Sequence, residues 1–184
     1  FAYRLLGSLD VGALNKSVNS ITERHQNLRA VFTKGETDPF LVIQNHVKFS
    51  IEKVSIEDIP ENARESETFS ILSQETERGF DLARGPMCRW LLIKLDDREH
   101  ILVFTVHRII ADIRSMATIV RELMKIYSAA VSGDPVSLEP LKFNSGDYAL
   151  AEAAWMNSEE CLAQISYWKN KLGRAIYCCD TDFN

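Results

Sequence analysis

Apolar and polar residues follow two regular patterns along nearly the whole chain, and these predict a succession of strands and helices. Short apolar or alternating runs bounded by turn residues predict strands, over 3–9, 28–34, 40–56, 87–95 and 100–107. The segment 40–56 is long enough for one or two strands. Apolar residues spaced three and four apart predict helices, over 10–25, 59–80, 115–133, 145–156 and 158–172.

The order of these elements predicts an α/β fold. It indicates a two-layer sandwich in which helices pack against a mixed sheet. Within 1–175 no stretch has the composition of an interdomain linker, and 134–143 is a proline-bearing extended connector. The three tryptophans are predicted as packing anchors, because aromatic side chains at strand or helical spacing are typical of a core: Trp90, Trp155 and Trp168.

Composition and charge narrow the class of protein. The 184 residues are 46% hydrophobic and 26% charged, with a net charge of -5, which is typical of a globular domain. No basic stretch interleaved with aromatics indicates nucleic-acid binding, and no apolar run is long enough to span a bilayer. The chain opens on Phe1 rather than methionine, so we expect it to be part of a longer protein.

The cysteines and the termini predict no metal site. Cys88, Cys161, Cys178 and Cys179 fit neither zinc-ligand spacing nor a disulfide framework, and we interpret them as reduced cytosolic thiols. No signal peptide is visible at the start of the sequence.

Three stretches, in register over much of the chain, resemble motifs of one family. "RHQNLRAVF" (24–32) resembles R-H-E-x-L-R-T-x-F of nonribosomal peptide synthetase condensation domains, and "HRIIADI" (107–113) falls where that family carries H-H-x-x-x-D-G. "GDYALAEAAW" (146–155) is similar to its Y-x-D-Y-A-x-W segment. Each motif alone is weak, but the three together are specific.

The resemblance implies a chloramphenicol acetyltransferase-like fold of two lobes that face each other across a tunnel. Residues 1–175 resemble the N-terminal lobe, 176–184 would start the connection to a C-terminal lobe, and that second lobe is missing from this sequence. The implied partners are donor and acceptor peptidyl carrier domains and adjacent synthetase domains. The domain itself would need no cofactor, since the substrates arrive on the phosphopantetheine arms of the carriers.

The reaction implied by the resemblance is amide formation, in which an amine attacks a thioester. The family credits the second His of its motif with positioning or deprotonating that amine, and here this position is Arg108. A guanidinium stays protonated and has no lone pair to accept a proton. His107 matches the first His, and strand alternation predicts that it points away from Arg108. We therefore expect this copy to be impaired or inactive.

The rest of the motif predicts structural roles. Asp112 matches the motif's Asp, which the resemblance pairs with Arg29 in a structural ion pair. Ile113 replaces the motif's glycine, so the loop either has another geometry or borders a narrower tunnel. Ser115 completes the predicted tunnel lining.

Two alternatives remain open at this stage. The H-R-x-x-x-D pattern also resembles the non-catalytic relatives of glycopeptide synthetases, which recruit tailoring oxygenases, and this suggests a platform for a carrier protein or a tailoring enzyme. The other is a stand-alone acyltransferase of the same superfamily, which needs the same base.

Overall fold

The computed structural model describes residues 1–36, 39–45 and 47–173, and these form two units. The first unit is Phe1–Pro140 and the second starts at Leu141, so the division falls inside the proline-bearing connector predicted over 134–143. The predicted connection over 176–184, with Cys178 and Cys179, lies outside the described residues.

Six strands and three α-helices make up the first unit. The strands are β1 (Ala2–Leu6), β2 (Ala30–Thr33), β3 (Phe40–Ile43), β4 (Glu52–Ser55), β5 (Cys88–Asp96) and β6 (Glu99–Val106). The helices are α1 (Val11–Arg24), α2 (Glu61–Glu77) and α3 (Ile113–Ser132), and a short 3-10 turn over Gln26–Arg29 precedes β2. The predicted order of elements is confirmed, and 40–56 holds two strands.

Four strands form one mixed sheet in the order β1-β6-β5-β4. β6 pairs antiparallel with both β1 and β5, whereas β4 runs parallel to β5. β2 and β3 form a separate antiparallel pair. The predicted α/β class with a mixed sheet and packed helices is therefore confirmed.

The main core lies between this sheet and the helices α1 and α3. Their apolar stripes meet alternate residues of β5 and β6, and the largest buried members are Leu14, Ile21, Trp90, Phe104, Met116 and Leu123. Trp90 and Phe104 face each other across the register and stack with ring centroids 3.8 Å apart. The core therefore fixes β5 to β6 just before the point where β6 ends.

Helix α2 covers part of the opposite face of the sheet. A smaller cluster joins Ile71 and Leu72 of α2 to Leu91 and Ile93 of β5. This helix adds a partial third layer to the predicted two-layer arrangement.

Helix caps explain where the helices begin and end. Asp10 accepts a hydrogen bond from the Ala13 backbone N–H at 2.8 Å and starts α1. Gly133 ends α3 with φ 79°, the left-handed conformation that a residue without a side chain adopts at no steric cost.

The second unit contains the helical hairpin of α4 (Ser145–Met156) and α5 (Glu159–Leu172). Asn144 and Asp147 form a reciprocal capping box at the start of α4, and Ser158 caps α5. Trp90 is buried as predicted, but Trp155 and Trp168 are 43% and 54% exposed, so the prediction that both are packing anchors is not met within the described residues.

The two cysteines in the described segments, Cys88 and Cys161, are buried free thiols. Burial raises the pKa of the Cys88 thiol to about 12, so it stays protonated and unreactive. None of the described helices is long and apolar enough to cross a membrane.

The stacked pair in the core gives a stability prediction. We expect Trp90→Ala to lower the free energy of unfolding by about 3–5 kcal/mol, because the cavity it leaves next to Phe104 cannot close fully. The matched control is Phe69→Ala, whose side chain is 72% exposed and whose loss should change stability by under about 0.5 kcal/mol. Urea unfolding followed by circular dichroism measures both, and equal losses would contradict this description of the core.

Candidate functional site

The three predicted loop residues Arg108, Asp112 and Ile113 lie in the turn that follows β6. The strand ends at Val106, and the His107 N–H still donates to the Met87 carbonyl of β5 at 2.9 Å. The Ile110 N–H then donates to the His107 carbonyl at 3.1 Å and closes a turn. The prediction that strand alternation separates His107 from Arg108 therefore does not apply, because Arg108 lies in a turn and not in a strand.

The imidazole of His107 is held by the turn itself. Its Nδ1 lies 3.1 Å from the Ile109 backbone N–H, which donates to it. A neutral imidazole has one acceptor nitrogen and one N–H. Since Nδ1 accepts, the proton is on Nε2, and the ring presents a donor rather than a second acceptor. Its other aromatic neighbour is Phe80, with ring centroids 6.0 Å apart in an edge-to-face arrangement.

Arg108 is exposed on the turn. Across the described ranges of the chain, no hydrogen bond or ion pair is recorded for its guanidinium. The side chain is therefore a solvated cation at the position that the resemblance assigns to the base.

Asp112 begins α3 as its N-cap. Its carboxylate accepts hydrogen bonds from the Ser115 backbone N–H at 2.8 Å and from the Ser115 hydroxyl at 2.7 Å. The hydroxyl and then the backbone N–H of Ser115 lower the pKa of the Asp112 carboxyl below its ordinary value. Asp112 is thus structural, as the sequence indicated, but Ser115 rather than Arg29 is its partner.

The predicted ion pair between Arg29 and Asp112 is not formed in this structure. The Arg29 guanidinium donates instead to backbone carbonyls, among them Thr22 at 3.1 Å and Gln44 at 2.6 Å. These bonds tie the end of α1 to the segment after β3. Both side chains are occupied by nearer partners, since the 3-10 turn carries Arg29 toward free carbonyls and the cap keeps Asp112 at its helix.

Asn27 makes the contact between the first motif and the turn after β6. Its side-chain amide donates to the Ile110 carbonyl at 3.4 Å. Neighbouring residues of the motif bind α3: Arg24 Nε and His25 Nε2 lie 2.9 and 2.8 Å from the same oxygen of Glu122. Burial opposes ionisation of this carboxyl, but the hydrogen bonds from Arg24 and His25 prevail and lower the pKa of Glu122. Sequence reasoning missed both contacts, and their only signal was the motif itself.

The predicted tunnel residues lie at the start of α3. Ile113 is 73% exposed, and no non-glycine residue in the described segments has a positive φ. Ile113 therefore fits the first helical turn without strain, and the loop has a geometry that does not require the motif's glycine. The Ser115 hydroxyl is engaged with Asp112, and lining of a tunnel by these two residues stays a prediction.

The comparisons with known proteins agree on one family. The family model of the condensation domain matches residues 1–176. A linear gramicidin synthase of Brevibacillus parabrevis is 34% identical over 174 residues, which are 95% of this chain and 3% of that synthase. Malpinin synthetase of Mortierella alpina is 32% identical over 179 residues, which are 97% of this chain and 2% of that synthetase. The chain therefore spans a small part of its curated relatives.

Solved structures give the same result at the level of the fold. A complex of the X-domain and OxyB from teicoplanin biosynthesis matches with a TM-score of 0.77 and 32% identity, over 96% of this chain and 38% of that chain. The starter condensation domain of the rhizomide synthetase RzmA has a TM-score of 0.84 at 13% identity, over 95% of this chain and 42% of that chain, and shows a shared fold alone.

The partners of Asp112 can be tested by double-mutant cycles. We expect Asp112→Ala and Ser115→Ala to be non-additive in the free energy of unfolding, because the two side chains are hydrogen-bonded. Asp112→Ala and Arg29→Met should be additive, since these side chains do not touch. Urea unfolding at neutral pH measures both cycles, and a coupling to Arg29 as large as that to Ser115 would contradict the observed geometry.

The same Asp112→Ala variant has a pH signature that serves as a control. The folded-state pKa of Asp112 is lowered, so its stabilising effect is complete above the ordinary aspartate pKa and is lost as the pH falls through the lowered value. The difference in stability between wild type and variant should therefore close in acid. A difference that persists below that range would assign the effect to something other than the ionised cap.

Proposed function

The chain belongs to the condensation domain family, and from this premise we propose that it is the N-terminal lobe of a nonribosomal peptide synthetase condensation domain whose capacity for amide formation is impaired. The complete domain would act on acyl or peptidyl thioesters carried by a donor carrier domain and on an aminoacyl group carried by an acceptor carrier domain. Phosphopantetheine arms would bring both groups to the tunnel between this lobe and its C-terminal partner, next to adjacent synthetase domains.

The observation that carries the proposal is the absence of a suitable base among the described residues of the turn after β6. The amine must lose a proton as it attacks the thioester, and a positioned general base contributes roughly 10²–10⁴ in rate. The Arg108 guanidinium has no acceptor lone pair. In His107, Nδ1 already accepts from the Ile109 N–H and Nε2 carries the proton.

The remaining acceptor in the turn is the Asp112 carboxylate, and its properties make it a poor replacement. Its pKa is lowered by the bonds from Ser115, so it has little affinity for a proton near neutral pH. It also holds the first turn of α3. Protonation of Asp112 during a reaction would therefore weaken the cap that positions the turn.

A second function is favoured by one specific observation. The chain is 32% identical to the chain matched in the complex of the X-domain and OxyB from teicoplanin biosynthesis, and it shares with non-catalytic relatives the H-R-x-x-x-D pattern. In this second proposal the domain keeps the fold as a platform and recruits a carrier protein or a tailoring enzyme. The two proposals are compatible, because a domain without a base can still bind partners.

Restoring the base tests the proposed impairment. We expect Arg108→His with Ile113→Gly, in the complete two-lobed domain, to raise amide formation by about 10²–10⁴, the contribution of a general base. The assay uses loaded donor and acceptor carrier domains and detects the amide by mass spectrometry. Ile113→Gly alone is the matched control, because it opens the start of α3 without supplying a base, and it should give no comparable gain.

Two outcomes would contradict the impairment. The first is efficient turnover by the unaltered domain, and the second is turnover that persists unchanged in Arg108→Ala. An inactive domain whose activity does not rise in the double variant would favour the platform instead of a decayed catalyst.

The platform is tested by binding rather than by turnover. We expect the complete domain to bind its neighbouring carrier domain, or an oxygenase encoded near it, with a dissociation constant in the micromolar range or tighter. Isothermal titration calorimetry measures the affinity, and a carrier domain from an unrelated synthetase is the control. Equal affinity for the control, or no binding to either partner, would eliminate the platform.

A further inference from the structure

A buried carboxylate on α2 holds an arginine of β5. Glu75 is 3% exposed, and one of its oxygens lies 2.7 Å from Arg89 Nε while the other lies 2.9 Å from Arg78 Nη1. The Arg89 guanidinium also donates to the carbonyls of Arg78 at 2.8 Å and Gly79 at 3.2 Å. A cation is favourable at these carbonyls, because the last carbonyls of a helix have no partner within it. Arg89 is thus fixed at the end of α2.

The residue that follows Gly79 connects this cluster to the turn after β6. The Arg89 guanidinium carbon lies 4.0 Å from the centroid of the Phe80 ring, which is the geometry of a cation–π contact. Phe80 in turn meets His107 edge to face, with an interplanar angle of 85°. Glu75, Arg89, Phe80 and His107 therefore form an unbroken series of contacts, which we call the α2–turn stack.

We propose that Arg89 is a positioning residue that acts through Phe80 to hold the His107 ring in the orientation in which Nδ1 accepts from Ile109 and Nε2 carries the proton. This inference rests on the proposed function in taking the turn after β6 as the site. It adds that the state of His107 depends on α2 and β5, which sequence motifs did not connect to the turn.

The physical reason is that one hydrogen bond does not immobilise a partly exposed ring. The Ile109 N–H is exposed, and a single bond exchanged against water contributes only a modest net free energy. The second tautomer would remain populated if nothing else limited the ring. Phe80 limits it from the side, and the position of Phe80 is set by the guanidinium packed against it.

A fixed ring has a chemical consequence for ligands. Across the described residues no hydrogen bond is recorded for Nε2 of His107. The α2–turn stack then presents Nε2–H as an oriented donor to an acceptor such as the carbonyl oxygen of an acyl group. The site would keep a hydrogen-bond donor where it lacks a base.

The tautomer of His107 can be measured without substrate. The 184-residue chain contains four histidines, so selective ¹⁵N labelling gives few imidazole signals, and His107→Gln assigns the one of interest. Above about pH 8 the imidazole is neutral, and we expect the wild type to carry its proton on Nε2. Arg89→Met and Phe80→Leu should each raise the share of the other tautomer about two- to tenfold, the effect of losing an aromatic contact.

The matched control is Arg78→Met. Arg78 also pairs with Glu75, but Arg89 alone is recorded over the Phe80 ring among the described residues, so Arg78→Met should leave the His107 tautomer unchanged. Phe80→Tyr keeps the ring and should also preserve it. In the Arg89→Met/Phe80→Leu double variant, we expect no shift beyond that of the larger single change.

The inference is overturned if Arg89→Met and Phe80→Leu leave the tautomer ratio unchanged, or if Arg78→Met changes it equally. Should Arg89→Met fail to fold, the comparison of Phe80→Leu with Phe80→Tyr decides the matter alone, since both alter a partly exposed side chain. Amide turnover by the complete domain would contradict the proposed impairment without changing this spectrum, so the two failures can be distinguished.

Discussion

The hydrogen bond from the Ile109 N–H to His107 Nδ1 constrains what the turn after β6 can do. It places the imidazole proton on Nε2 and leaves no free lone pair on the ring. If the ring gained a second proton, an N–H at Nδ1 would face the N–H of Ile109, so protonation opposes the observed turn. The neighbouring Arg108 cannot compensate, because a guanidinium offers donors only. Base chemistry at this site is therefore limited by the backbone of the turn as well as by the substitution of a histidine.

The scaffold places this turn through contacts that do not involve a catalytic side chain. The His107 N–H pairs with the Met87 carbonyl, Asn27 donates to the Ile110 carbonyl, and Asp112 caps the helix that follows. Behind them, the buried Trp90–Phe104 stack joins the two strands that lead to the turn. The position of the turn is thus determined by backbone pairing, one amide contact and one cap.

Periodicity in the sequence predicted the elements well, because it reflects burial. The stripe that includes Met116, Ile119 and Leu123 predicted α3 and its buried face, and the hairpin of β5 and β6 followed from two apolar runs around a turn. The boundaries were less predictable. Helix α3 begins at Ile113, two residues before the predicted start, because the Asp112 side chain satisfies the first free N–H groups.

Side-chain partners could not be predicted in the same way. The ion pair of Arg29 and Asp112 came from a resemblance, and such a transfer assumes that the loop directs both side chains toward each other. Here a 3-10 turn carries Arg29 among carbonyls, and Ser115 lies nearer to Asp112 than any cation. The contact of Phe80 with His107 joins residues 27 positions apart that share no period or motif, so no local pattern could have indicated it.

The separation between scaffold and chemistry explains how a base can be lost while the fold persists. Within the described part of the chain, Arg108 is exposed and makes no recorded polar contact, so a histidine or an arginine there should have nearly the same folding free energy. Ile113 occupies a helical position without strain, and a side chain replaces glycine there at no cost in backbone geometry. By contrast, Asn27, Asp112 and Arg29 each satisfy backbone groups, and their loss would disturb the turn or its supports. Substitutions at 108 and 113 are therefore the ones that alter the reaction and spare the binding surfaces, which is the physical condition for a condensation fold to be retained for partner binding after amide formation has been lost.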